Sequence, residues 1–292
     1  MIRPIFYFLI AVLLVSCATP VTPVSSPSTA FNTVTPPTAA LPTRLTNPTS
    51  APATSASQPT TAPVAKLPAG ALKIVALGDS LTEGDGDDSG KGYPGRLIAL
   101  IQKIRGGSQI ANFGKSGWTS ENLIKGHDGQ AAQLKQALDA KPNIALVWIG
   151  SNDLWYLYEY GNPSGTTPKD EQDDLQNFRK NIETIVSELK KSGAMVFIAL
   201  LDDQSKRPVA LNGQAFTAIT KGELAQMSKQ VVAYNNLIKD VAAKQGAIAV
   251  DFYSTKIFVD AATLYSDGNH PNEKGYDVIA EMWFKAIEPS LK

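Results

Sequence analysis

The sequence predicts an α/β fold built on a parallel sheet, and two observations carry that prediction. Five short apolar runs with β-branched residues, at 72–77, 109–113, 143–149, 194–201 and 247–250, have the length and composition of strands. The stretches between them carry helical spacing instead. Alternation of this kind is what parallel strands joined by crossover helices require.

The first run, Leu72-Lys73-Ile74-Val75-Ala76-Leu77, is broken by Gly78-Asp79, which delivers Ser80 at the carboxyl end of the strand. Ligands of open α/β sheets bind at that end. A serine at such a corner exposes its hydroxyl while its own N–H faces a reacting carbonyl oxygen. Residues 83–90 then form an acidic, glycine-rich loop. Its Asp85, Asp87 and Ser89 have the odd-position spacing of a calcium loop, but Arg96 stands where an EF-hand needs a bidentate glutamate. The loop therefore reads as solvated, with no metal. Pro94 opens a helix with Leu97, Leu100, Ile101 and Ile104 on one face.

The second run leads into Gly114-Lys115-Ser116-Gly117, another glycine-rich turn after a strand. His127 follows in a polar loop without ligand-like neighbours and reads as a surface histidine. The third run, 143–149, is the most continuous of the five and predicts a central strand. It ends in Gly150-Ser151-Asn152-Asp153, where a side-chain amide could donate to a developing oxyanion. Beyond it lie Trp155, Tyr156, Tyr158 and Tyr160. Trp155 and Tyr156 are candidates for a substrate platform, with core or lid packing as the alternative reading.

Residues 173–189 place Leu175, Phe178, Ile182, Ile185, Val186 and Leu189 on one helical face. The fourth strand follows, and then an irregular stretch at 202–222 that is a candidate lid. Leu224, Met227, Val231, Tyr234, Ile238 and Val241 mark another amphipathic helix ahead of the fifth strand. The last motif, Asp267-Gly268-Asn269-His270-Pro271, precedes a final helix running through Trp283 and Ile287. A histidine titrates near neutrality, so it can take a serine proton and return it. A carboxylate three residues earlier in a turn can hold the ring tautomer.

Composition narrows the function classes. The chain of 292 residues has formal net charge +0 with 18% charged residues, and no clustered basic face marks it for nucleic acid. Cys17 is the only cysteine, which excludes disulfides within the chain, thiolate catalysis in the globular part and cysteine-rich zinc sites. Residues 1–17 combine Arg3, an apolar run too short for a comfortable membrane span, and Leu14-Val15-Ser16-Cys17. These last four residues look like the lipobox of bacterial lipoproteins. That likeness implies a diacylated Cys17, anchorage to a membrane and display at the cell envelope or outside it. Residues 18–70 are dominated by Thr, Pro, Ser and Ala and read as an extended, disordered stalk, a candidate for O-glycosylation. The globular domain is then 71–292.

Four blocks in this domain resemble, in order, those of the SGNH (GDSL-type) esterase and lipase superfamily. They are Gly78-Asp79-Ser80, the turn with Gly117, Gly150-x-Asn152-Asp153 and Asp267-x-x-His270-Pro271. The resemblance covers about 73–287. It implies a flavodoxin-like, three-layer α/β/α sandwich with a five-stranded parallel sheet. It also implies a serine esterase with Ser80 as nucleophile, His270 as general base and acid, and Asp267 as its orienter. The oxyanion hole would combine the N–H groups of Ser80 and Gly117 with the Asn152 amide, Gly114 being the competitor of Gly117. No metal or organic cofactor is implied. The substrate would be a small-molecule, lipid or acetylated carbohydrate ester, with a lean towards short acyl groups. The order Ser, Asp, His also fits α/β-hydrolases, but no Gly-x-Ser-x-Gly elbow occurs. The alternative function is a non-catalytic surface protein that binds glycan through its aromatics.

Overall fold

The computed structural model describes residues 67–292 apart from Gln214. Cys17, the expected leader and the part of the expected stalk up to residue 66 lie outside the described residues. In chain order the elements are β1 (Lys73–Gly78), α1 (Ser80–Glu83), α2 (Gly92–Gln102), β2 (Gln109–Asn112), α3 (Ser120–Lys125), α4 (Gln133–Asp139) and β3 (Ile144–Trp148). They continue with α5 (Ser151–Glu159), α6 (Pro168–Lys191), β4 (Met195–Leu200), α7 (Pro208–Leu211), α8 (Lys221–Gln245), β5 (Ile248–Asp251) and α9 (Glu273–Leu291).

The five strands form one parallel sheet in the order β2-β1-β3-β4-β5. Helices α2 and α9 pack against each other, as do α6 and α8, and together with α3 and α4 they flank the sheet. The parallel α/β fold predicted by the alternation, in the sandwich that the family resemblance implies, is therefore the fold. Strands covered on both faces read as continuous apolar runs, and β3 and β4 are buried along their whole length. The short edge strands β2 and β5 are only partly buried. Below the sheet's carboxyl edge, Trp148 stacks on Phe252 with centroids 4.2 Å apart, and Trp283 and Tyr93 close around them. This cluster fixes α9, and with it the turn that precedes α9.

Two local expectations are corrected. Helix α6 begins five residues before 173, because Pro168 occupies its first turn and Thr167 and Asp170 form a reciprocal capping box. The apolar stripe starts only at Leu175 because those first turns are polar. The acidic loop at 83–90 is not simply solvated. Asp87 is buried, and its carboxylate accepts from the N–H of Gly92 (2.6 Å), the Ser89 hydroxyl (2.8 Å) and Arg96 Nη1 (2.5 Å). Arg96, the residue that spoils a calcium loop, is the counter-charge that holds this loop down. It also reaches Asp277 on α9 at 2.6 Å.

Burial works against the ionised form of Asp87, but the hydrogen bonds from Arg96, Ser89 and Gly92 hold its pKa down to about 2. A depressed folded pKa gives stability that is fully present above the ordinary carboxylate range and is lost as pH falls through about 2. Asp87→Asn should therefore cost on the order of 2 kcal/mol in denaturant unfolding at pH 7, with the difference from the parent shrinking between about pH 4 and 2. Equal loss at both ends of that range would show that Asp87 acts through shape and not charge.

Candidate active site

The site assembles at the carboxyl edge of the sheet. Strand β1 ends at Gly78, where a side chain would meet Thr82 Oγ1 and the Trp148 carbonyl oxygen at 2.2 Å. Only glycine lets β1, β3 and α1 approach this closely. Asp79 caps α1, its Oδ1 accepting from the N–H of Leu81 at 3.0 Å. Ser80 is the first residue of that short helix. Burial drives the Asp79 pKa up to about 7, against the pull of the Leu81 N–H and the charge of Arg207.

His270 stands opposite, in the turn before α9. Its Nε2 lies 2.9 Å from Ser80 Oγ, and its Nδ1 lies 2.7 Å from Asp267 Oδ2. With the ring proton on Nδ1 and donated to the carboxylate, Nε2 is left to accept from the serine hydroxyl. The second Asp267 oxygen accepts from the N–H groups of Asn269 (2.8 Å) and His270 (3.0 Å), so the carboxylate holds its own turn in shape. Partial burial opposes ionisation of Asp267, yet these bonds and the His270 ring hold its pKa down to about 2. It is an anion throughout the neutral range.

The two glycines of the second turn separate by what they touch. The Gly114 N–H is bound to Asn112 Oδ1 at 2.9 Å, and a Cβ there would meet the backbone of Thr82 and Glu83 at 2.6 and 2.3 Å. Gly114 is a packing glycine. The N–H groups of Gly117 and Ser80 have no partner among the described residues. Asn152, the second residue of α5, spends one amide hydrogen on the Trp118 carbonyl at 2.9 Å and keeps the other. Tyr156 donates its hydroxyl to the Gly117 carbonyl at 2.9 Å, which fixes that peptide from behind.

Trp155 does not sit where a substrate platform would need it. It is 2% exposed, and its ring is stacked on Phe216 at 3.9 Å and 7°. On a helix that starts at the site, position 155 turns inward, and Phe216 from the irregular 202–222 stretch covers it. Tyr156 on α5 and Tyr160 at its C-terminal cap are exposed aromatics. His127 is exposed and lies 3.3 Å from Asp128.

Three supports were not readable in the motifs. Asp153, half-buried behind Asn152, accepts from the N–H (2.9 Å) and hydroxyl (2.5 Å) of Ser120, and that hydroxyl also takes a bond from Asn181 on α6. Burial raises the Asp153 pKa to about 6 despite the Ser120 bonds. Glu83 accepts from both the N–H and hydroxyl of Ser116, tying α1 to the Gly117 turn. Arg207 is buried in a bidentate pair with Asp202 (2.6 and 2.9 Å) and donates to Asn269 Oδ1 at 2.8 Å. Its guanidinium lies 4.4 Å from the centre of the Phe258 ring. Arg207 thus anchors the Asp267–His270 turn to the end of β4. The only trace of this in the sequence is one arginine in an irregular stretch.

Removing one member of a buried pair leaves the other charge uncompensated. Arg207→Met should therefore destabilise the fold by about 3 kcal/mol or more in urea unfolding. Adding Asp202→Asn should restore a large part of that loss. A double variant as unstable as the sum of two independent losses would refute the pairing argument.

Comparison with known proteins places the domain in a family. The GDSL-like Lipase/Acylhydrolase family matches residues 76–278. The chain is 26% identical over 254 residues to a multidomain esterase of Ruminococcus flavefaciens, covering 77% of this chain and 29% of that one. It is 26% identical over 226 residues to an acetylxylan esterase of Xylanibacter ruminicola, covering 75% and 43% of the two chains. The chain thus spans less than half the length of these two relatives. Among solved structures, an acetyl xylan esterase from Geobacillus stearothermophilus superposes with a TM-score of 0.53 at 20% identity, over 75% of this chain and 95% of that one. The chain belongs to the GDSL-like Lipase/Acylhydrolase family, and its matched domain is a carboxylic ester hydrolase.

Proposed function

We propose that the protein hydrolyses short acyl esters, O-acetyl groups on carbohydrate foremost, through an acyl-enzyme on Ser80. The observation that carries the mechanism is the continuous relay from Ser80 Oγ through His270 to Asp267 at 2.9 and 2.7 Å. Ser80 Oγ attacks the ester carbonyl carbon while His270 Nε2 takes its proton. The oxyanion that forms is held by the N–H groups of Ser80 and Gly117 and the free amide hydrogen of Asn152. As the C–O bond to the alcohol breaks, His270 returns the proton to the leaving oxygen. Water then attacks the acyl-serine with His270 again as base, and the acid is released. Asp267, anionic and bonded to Nδ1, keeps the tautomer and stabilises the imidazolium.

The preference for O-acetyl carbohydrate rests on the names of the relatives. The exposed Tyr156 on α5 and Tyr160 at its end add a surface suited to sugars. For location, the Leu14-Val15-Ser16-Cys17 pattern and the Thr/Pro-rich stretch support a lipid-anchored enzyme displayed outside the cytoplasm. Palmitate labelling of the expressed protein should disappear in Cys17→Ala, and labelling that persists would remove the anchor from this reading.

Ser80→Ala and His270→Ala should each lower kcat on an activated acetyl ester by roughly 10⁴-fold or more, with the double variant little worse. Asn152→Ala should cost about 10²–10³ in kcat with little change in KM, because the donor works mainly in the transition state. His127→Ala is the control and should retain the parent rate. Full activity in His270→Ala would remove the proposed mechanism, and a loss confined to KM in Asn152→Ala would move that amide to ground-state binding.

A further inference from the structure

A cavity of about 1080 Å³ opens at the far end of α5, between the segment leading into α6 and the start of α8. Its walls are tied together by carboxylates. Glu223 accepts from the N–H of Thr166 (3.0 Å) on one side and from the N–H and hydroxyl of Thr220 (both 2.9 Å) on the other. Glu159 accepts from the N–H of Ala218 at 3.2 Å. These bonds occupy Glu223 and one oxygen of Glu159, and no Lys or Arg lines the cavity. The neutral groups that remain for a ligand are the Tyr160 ring, the Gln226 amide and the Ser164 hydroxyl, since the Asn162 amide oxygen already accepts from the N–H of Ser164 at 3.0 Å.

Helix α5 runs from the catalytic site towards this cavity. Asn152 lies on α5 and Tyr160 caps its C-terminus eight residues later, about 12 Å along the axis. Between them is Tyr156, whose hydroxyl is bonded to the Gly117 carbonyl and whose ring centroid is 5.4 Å from that of Tyr160. Tyr160 is 72% exposed, the most exposed of the large hydrophobic side chains described. An open tyrosine pair leading into a cavity of hydroxyls and amides offers ring faces to sugar C–H groups and hydrogen bonds to sugar hydroxyls. An acyl chain would gain little from such a lining. A polyanion would meet carboxylates without a balancing cation.

We propose that this cavity is a subsite for a neutral polysaccharide. The chain whose acetyl group is presented to Ser80 runs over Tyr156 and Tyr160 and lodges its next sugars in the cavity. The inference rests on the ester-hydrolase reading above for what occupies the catalytic end, and it adds a preference for polymer over small esters.

Two measurements on the full chain test it. In the first, kcat/KM is compared on acetylated xylo-oligosaccharides of increasing length and on p-nitrophenyl acetate. It should rise with length, and Tyr160→Ala should lose at least tenfold more on the long oligomers than on the aryl ester, mainly through KM. Tyr160→Phe should restore the preference. In the second, unacetylated xylohexaose is titrated into Ser80→Ala protein, so that binding is read without turnover. It should bind, polygalacturonate should not, and adding Tyr160→Ala should abolish binding. The proposal is overturned by a parent enzyme indifferent to length, by equal losses on both substrates, or by absent or Tyr160-independent xylohexaose binding. Failure on p-nitrophenyl acetate together with intact xylohexaose binding would instead remove the hydrolase reading and leave the subsite standing.

Discussion

The hydrogen bond between Ser80 and His270 is the constraint on which the rest of the structure depends, because it joins residues 190 apart in the chain. A parallel sheet meets that constraint cheaply. Every strand of such a sheet ends at the same edge, so the turns after β1, β2 and β3 converge there without any long excursion. His270 arrives by another route, on the turn before α9, and its position is only as firm as the packing of that turn. The Trp148, Phe252 and Trp283 cluster fixes the helix side of the turn, while Arg207 clamps the Asn269 side.

The electrostatics follow from the same arrangement. Where a carboxylate must be an anion, it is surrounded by donors: Asp267 by two backbone N–H groups and the imidazole, Asp87 by Arg96, Ser89 and Gly92. Where desolvation outweighs the donors, the carboxylate's pKa rises, as for Asp79 and Asp153. The two kinds act on stability in opposite directions. Depressed groups lose their contribution as the solution is acidified, whereas a raised group binds its proton more tightly in the folded state, so its contribution declines as pH rises from about 4 towards 7. The neighbourhood of the nucleophile thus carries a built-in cost at neutral pH, set against the rigidity of the cap and the Ser120 anchor.

Much of this was legible because chemistry-bearing residues follow strands and are announced by glycine. Gly78 and Gly150 mark the ends of apolar runs, and Ser80 and Asn152 sit two residues beyond each. His270 was legible by scarcity, since the chain has two histidines and only one has a carboxylate at a useful spacing. What escaped is whatever depends on partners brought together by packing. Ser120 and Asp153 are 33 residues apart, and Arg207 and Asn269 are 62 apart, with no local pattern to link them. Trp155 and Tyr156 show the limit within one turn of helix. Adjacent aromatics are equivalent in sequence, but α5 sends one inward onto Phe216 and leaves the other beside Gly117. Neighbouring helical positions do not share a face.

The most direct test of the account is covalent trapping of the nucleophile with a fluorophosphonate, read by intact mass and peptide mapping. The relay predicts a single adduct, located on Ser80 and absent from Ser80→Ala. Its rate of formation should fall by about 10²-fold or more in His270→Ala, since the ring must take the serine proton as the bond forms. An adduct on another residue, or unchanged labelling of Ser80 without His270, would contradict it.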